Sequence, residues 1–330
     1  MIGPSERGRA DVYSRSLSGE STRVVGAALI GNLLVAATKF VAAAITGSSA
    51  MTSEAVHSLV DSGNEVLLFY GLRRAARPPD ADHPFGHGRE LYFWSFIVAL
   101  AVFALGACAS VYEGVQHLRA PVANKHPLVS YVVLGLALLF EGASWWVAFK
   151  QFRAAKGDRG YWEAVKKSKD PTTFTVLAED TGAILGIFIA LAGTAAAEVL
   201  DRPALDGVAS IAIGFLLALI GIVLARETKG LLIGEPARSE LVSAICALAR
   251  AEPGIEHSNG LFTVHIGPRQ VVAALSVDFT DTLNAREVEA IVARLEDRVR
   301  RAYPEVVSLL IKPQKPGRAD FTLPRSEDEG

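Results

Sequence analysis

In the stretch Met51-Thr52-Ser53-Glu54-Ala55-Val56-His57-Ser58-Leu59-Val60-Asp61-Ser62-Gly63-Asn64, a histidine and an aspartate stand inside a segment otherwise suited to crossing a membrane. Residues four apart on a helix share a face, about 6 Å apart. His57 and Asp61 therefore point the same way, and Glu54 and Asn64 extend their stripe. An ionisable side chain left unpaired in hydrocarbon costs on the order of 3 kcal/mol, so one at this depth marks a functional site. A histidine and a carboxylate on one helical face are natural ligands for a borderline divalent metal.

The rest of the chain supports a membrane setting. Half of the 330 residues are hydrophobic, and the mean hydropathy is +0.30. This composition predicts a membrane protein with one soluble appendage. The net charge of −2 gives no footing for nucleic acid. Two cysteines, Cys108 and Cys246, exclude a disulfide framework and a cysteine-based zinc module. The first 23 residues carry Arg7, Arg9, Arg15 and Arg23 without an apolar core, unlike a cleavable signal peptide.

Six apolar stretches, 24–46, 52–72, 91–117, 128–150, 173–198 and 205–226, are long enough for about 30 Å of hydrocarbon. Basic residues crowd the loops after the second stretch (Arg73, Arg74, Arg77, Arg89) and the fourth (Lys150, Arg153, Lys156, Arg159, Lys166, Lys167, Lys169). The opposite loops carry only Arg119, Lys125 and Arg202. Positive-inside bias then places both termini in the cytoplasm. After the sixth stretch the pattern changes to a helix over 238–251, strands over 260–266 and 270–279, a helix through Val288, Ile291, Val292, Leu295 and Val299, and a strand from Val306 to Ile311. The expected architecture is an α-helical membrane protein with six transmembrane helices followed by a small cytoplasmic αββαβ (α+β) domain. Its parts are an N-terminal tail (1–23), a membrane domain (24–235), a soluble domain (236–313) whose small core favours pairing with a second copy, and a disordered tail (314–330).

Depth brings the polar residues of different spans to one level. At 1.5 Å per residue, Asp61 lies ~14 Å in from Thr52, Glu179 and Asp180 lie ~10 Å in from Thr173 at the opposite face, and Asn32 lies ~12 Å from the inner face, close to Asp180. Convergence of His57, Asp61 and Asp180 suits a metal site. Buried hydrogen bonds that merely orient the helices would also account for them, but carboxylates at one depth repel unless a cation joins them. A second candidate is the loop Asp80-Ala81-Asp82-His83-Pro84-Phe85-Gly86-His87-Gly88-Arg89, where Asp80, His83 and His87 have the spacing either for a metal or for a solvated turn. Lys39 is expected to snorkel or to pair with Glu54, Glu141 to bond a neighbouring helix, and Asp206 to cap the sixth span. His257 and His265 stand without sequence companions, so the soluble domain is expected to bind no zinc of its own.

Over essentially its whole length the chain resembles the cation diffusion facilitators. The resemblance rests on His57-x-x-x-Asp61, the Asp80-x-x-His83-x-x-x-His87-Gly88 turn, Ala178-Glu179-Asp180-Thr181-Gly182 on span five and the αββαβ tail. Phe140-Glu141-Gly142-Ala143 and Ser168-Lys169-Asp170-Pro171-Thr172-Thr173 are similar to the branch that includes the mitochondrial zinc transporter. The resemblance implies a homodimer that exchanges cytoplasmic divalent metal for protons, with His57, Asp61 and Asp180 at the transport site and Asp80, His83 and His87 at an inner-loop zinc site. Two departures stand out. Val176 occupies the place of the usual span-five histidine, leaving Asn32, Glu179 or water to complete the shell, and no ligands cluster around Ser276 and Lys312.

The expected function is a secondary transporter, not an enzyme, exporting zinc foremost, with Mn, Fe, Co, Ni and Cd as further candidate substrates. No cofactor is required beyond the cation, which could also be structural at the loop. A bacterial-type cell membrane is the expected multi-pass location. The rivals are a membrane-embedded metallohydrolase, with Glu179 as base, and a metal sensor that does not transport.

Overall fold

The computed structural model describes residues 19–156, 160 and 169–316. Arg7, Arg9, Arg15, Arg159, Lys166, Lys167 and the tail from 317 onward lie outside the described residues. The chain divides into two compact units, one containing Glu90–Lys229 and the residues up to Pro78, the other containing Pro79–Arg89 and the residues from Gly230.

The first unit consists of long helices: α1 (Gly19–Thr46), α2 (Ser49–Ala75), α3 (Arg89–Arg119), α4 (Pro127–Lys156), α5 (Pro171–Val199) and α6 (Ala204–Ile233). Each contains one of the six expected stretches. Four of them, α3 to α6, carry segments long and apolar enough to cross a membrane. In α1 the described apolar run is Asn32–Thr46. In α2 the stripe of Ser, Glu, His, Asp and Asn dilutes the hydropathy that the other helices have. Loops start and stop these helices by ordinary chemistry. Ser48 accepts a hydrogen bond from Met51 N at the start of α2, and Asp170 accepts from Thr172 N with Pro171 in the first turn of α5.

Small residues set the closest packing. Gly207, Gly214 and Gly221 recur every seven residues on α6 and face α3. A Cβ at Gly214 would stand 2.9 Å from Ala107 O and Val111 N, and one at Gly221 would stand 3.1 Å from Phe103 N. Backbone-to-backbone approach of this kind is how helices associate in lipid, where no hydrophobic effect drives them together. Within α3, Val102–Ala107 is a π-helical stretch, which shifts the helix face between its two halves. The core of the unit gathers Ala43, Met51, Leu134, Ile187, Ile213 and Leu217, while Leu139, Phe140, Phe215 and Leu219 point outward.

Asp206 does something different from the expected cap of its own helix. Its carboxylate accepts from Ser48 Oγ (2.9 Å), Ser49 N (2.6 Å), Ser49 Oγ (3.2 Å) and Ala50 N (3.2 Å), so α6 caps the N-terminus of α2. Sequence could not show this, because the partners are more than 150 residues apart.

In the second unit, α7 (Ser239–Arg250), β1 (Ile255–Gly267), β2 (Gln270–Phe279), α8 (Ala285–Ala302) and β3 (Val306–Pro313) follow in the expected αββαβ order. The sheet order is β1-β2-β3, antiparallel then parallel, so α8 is the crossover between β2 and β3. Alternate residues Val271, Ala273, Leu275 and Val277 of the central strand are fully buried, and the last three share a core with Ile245, Ile291, Leu295 and Val299 of the two helices. Asn284 and Glu287 form a capping box at the start of α8.

Glu252 ties α8 to the end of α7. It is 5% exposed and accepts from Arg294 Nε (2.9 Å) and Arg298 Nη1 (2.7 Å). Burial works to raise its pKa, but the two guanidinium groups outweigh that and hold it below the ordinary glutamate range. Its contribution to stability is therefore complete above the unfolded value and is lost as pH falls through the depressed native one. Glu252→Gln should destabilise this unit by about 2 kcal/mol at neutral pH, read as faster amide exchange in α7 and α8. The difference from the parent should vanish in acid; equal exchange at pH 7 would show that the clamp contributes nothing.

Candidate metal sites

The polar face of α2 carries the first site. His57 is 1% exposed, with Nδ1 3.4 Å from Asp61 Oδ1. Both imidazole nitrogens and Asp61 Oδ1 are buried without a hydrogen-bond partner. A buried polar atom left unpaired costs roughly 1–3 kcal/mol, so three together on one helical turn make this turn a candidate for binding a cation. Acidic residues of two further helices act on it: Asp61 is within electrostatic range of Glu179 and Asp180 on α5 and of Glu141 on α4. Glu141, expected as a helix partner, thus adds its charge to the site.

The remaining candidates are held by neighbours. Asn64 Nδ2 donates to Glu179 Oε1 (2.6 Å) and Ser144 Oγ donates to Asp180 Oδ2 (3.0 Å). Asn32 Nδ2 donates to Glu65 Oε1 (2.6 Å), so its hydrogen-bond partner is a residue of α2 rather than Asp180. His57 and Asp61 are thus paired, while α4 holds the Asp180 carboxylate through Ser144. Among the described residues, the groups of three whose ligand atoms all lie within 4.8 Å of one another are found elsewhere, in the second unit.

One of these groups is Asp80, His83 and His87. Asp80 Oδ1 accepts from His83 N (2.7 Å) and lies 3.2 Å from His83 Nδ1, while Oδ2 lies 3.4 Å from His87 Nε2. The hydrogen bond from the His83 backbone, above all, holds the Asp80 carboxyl below its usual pKa. His87 is buried, and its Nδ1 has no hydrogen-bond partner. One carboxylate and two imidazoles suit zinc, and the expected convergence of the loop is met.

The other group gives His257 neighbours that the sequence did not show. Glu256, His257 and Asp278 bring three ligand atoms within 4.8 Å. Antiparallel pairing sets Asp278 opposite His257, and an irregularity between Ile255 and His257 adds Glu256. His257 therefore does have companions, hidden by a separation of about twenty residues that only strand register closes. His265 instead sits 6% exposed, with Nδ1 3.2 Å from Gly267 O.

Residues 25–233 match the family described as the cation efflux transmembrane domain. The chain belongs to the cation efflux family. Members of this family are transporters rather than enzymes. The chain is similar to metal tolerance protein C4 of Arabidopsis thaliana (32% identical over 261 residues, 78% of this chain and 57% of that one). It is also similar to the mitochondrial proton-coupled zinc antiporter SLC30A9 of Homo sapiens (32% over 259 residues, 78% and 46%). A third relative is the magnetosome protein MamM of Magnetospirillum gryphiswaldense (25% over 290 residues, 86% and 85%). The chain thus spans about half the length of the first two relatives.

Within this cation efflux chain, sequence reading missed Glu65. A signal was present, since His57, Asp61 and Glu65 recur every four residues on the stripe that carries Asn64. Lys39 pairs with Glu54 as expected.

Proposed function

We propose that this cation efflux protein exports divalent metal, zinc foremost, from the cytoplasm in exchange for protons, working as a six-span homodimer with both termini inside. His57, Asp61 and Asp180 bind the ion, Glu179 and Asn32 stand in where Val176 replaces a histidine, and Asp80, His83 and His87 hold a second zinc at the loop. The observation that carries this reading is the buried His57 imidazole, unpartnered at both nitrogens and 3.4 Å from Asp61. Such a pair binds a cation only when deprotonated, so loading metal releases protons and acid on the far side displaces the metal. The names of the two longer relatives, a proton-coupled zinc antiporter and a metal tolerance protein, agree with this chemistry.

The test is purified protein in liposomes with an imposed pH gradient. Zinc should accumulate against the proton flux, Mn, Fe, Co, Ni and Cd to lesser and separable extents, and collapse of the gradient should stop it. Metal flux indifferent to the gradient, or none for any of the six, would sink the antiport reading.

A further inference from the structure

A buried lysine lies beside this site. Lys39 on α1 is fully buried, and its Nζ donates to Ser58 Oγ (2.7 Å) and Glu54 Oε2 (3.3 Å). Glu54 is also fully buried, and its second oxygen, Oε1, has no hydrogen-bond partner. That free oxygen lies against the backbone of α5 at Gly186, where any Cβ would overlap it. Glu54 thus occupies the seam between α2 and α5, the two helices that carry His57, Asp61, Glu179 and Asp180. It stands three residues before His57, one turn nearer the Thr46–Ser49 end of the bundle.

At that end α2 is bonded to α6. Ser53 Oγ bonds Ser210 Oγ, and Asp206 gathers the first amides of α2. A cation leaving His57 and Asp61 along the α2–α5 seam toward Thr46–Ser49 therefore meets one negative side chain next, the unpartnered Glu54 oxygen.

We propose that Glu54 is a second, release-side position for the divalent cation and that the Lys39 ammonium is the tethered ion that holds it between cycles. The inference rests on the transport reading. A full ion pair with one carboxylate oxygen free is a site half filled: the ammonium binds Oε2 and Ser58, while Oε1, against α5 at Gly186, has no hydrogen-bond partner. When the metal advances from Asp61, Glu54 exchanges the ammonium for the metal, and Lys39, anchored at Ser58, remains to repel the ion onward. No charge needs to cross bare hydrocarbon at that step, which is where an unescorted ion would pay most. Gly186 is then the residue that makes room for the exchange.

The experiment compares wild type, Glu54→Asp and the neutral pair Lys39→Gln with Glu54→Gln in full-length protein, measuring zinc affinity in detergent and proton-driven zinc uptake in liposomes. A purely structural ion pair would be replaced by the neutral pair with transport intact. A release-side ligand would not: zinc affinity at His57 and Asp61 should stay within about threefold while turnover falls about tenfold. Glu54→Asp keeps the charge but draws the oxygen back by one methylene, and should also lose turnover at unchanged affinity, which keeps the question answerable if the neutral pair does not fold. Wild-type turnover in either folded variant overturns the inference and leaves antiport standing. Wild type that moves no zinc under the gradient overturns both.

Discussion

Asp61→Asn should stop metal transport while making the protein no less stable. The amide keeps the size of the side chain but loses the negative ligand, and a direct ligand's loss should weaken zinc binding by about 100-fold or more. Asp61 Oδ1 has no hydrogen-bond partner to lose, and the charge removed is one that Glu179, Glu141 and Asp180 crowd. Relief of that repulsion offsets the lost contact with His57, so the thermal midpoint in detergent should hold or rise. Function lost with stability kept is the signature of a residue retained for its chemistry. Zinc uptake near the wild-type rate would remove Asp61 from the ion's path, and a collapsed midpoint would make it structural.

The second large effect is expected at Asp206. Its carboxylate, 4% exposed, takes hydrogen bonds from two serine hydroxyls and two backbone amides at the start of α2. Those amides belong to the set that no helix can satisfy internally, and a negative charge there also meets the positive end of the helix dipole. Asp206→Ala strands them in a buried setting and should cost about 3 kcal/mol. Asp206→Asn keeps one acceptor and should recover roughly half of that. Thermal unfolding of the three proteins in micelles decides it: an unchanged midpoint for Asp206→Ala would show that α2 does not depend on the cap. Transport should fall with stability here, the opposite of Asp61→Asn.

Much of the first site was legible because helical periodicity is local. His57, Asp61 and, had the four-residue step been continued, Glu65 follow from spacing alone. Depth arithmetic brought Asn32 and Asp180 near the same level, yet Asn32 bonds Glu65, because a count of residues fixes height along a helix and says nothing of rotation about it. Across strands the limit is sharper. Asp278 meets His257 only through β1–β2 register with an extra residue on β1, and a shift of one would have turned the pair to opposite faces.

Period, length and spacing alone were enough for the membrane class, the order of six helices and αββαβ elements, the polar stripe of α2 and the Asp80-His83-His87 turn. Each of these rests on period, length or short-range spacing, which a linear chain carries in full. Which buried polar groups find partners, and which do not, came from tertiary packing: Asp206 bonds α2, Ser144 bonds Asp180 and Asn64 bonds Glu179, while Glu54 Oε1 is left unpartnered against α5 at Gly186. Those choices depend on the rotation and close approach of helices distant in sequence, because a buried donor or acceptor is settled only by a neighbour that packing brings within about 3 Å.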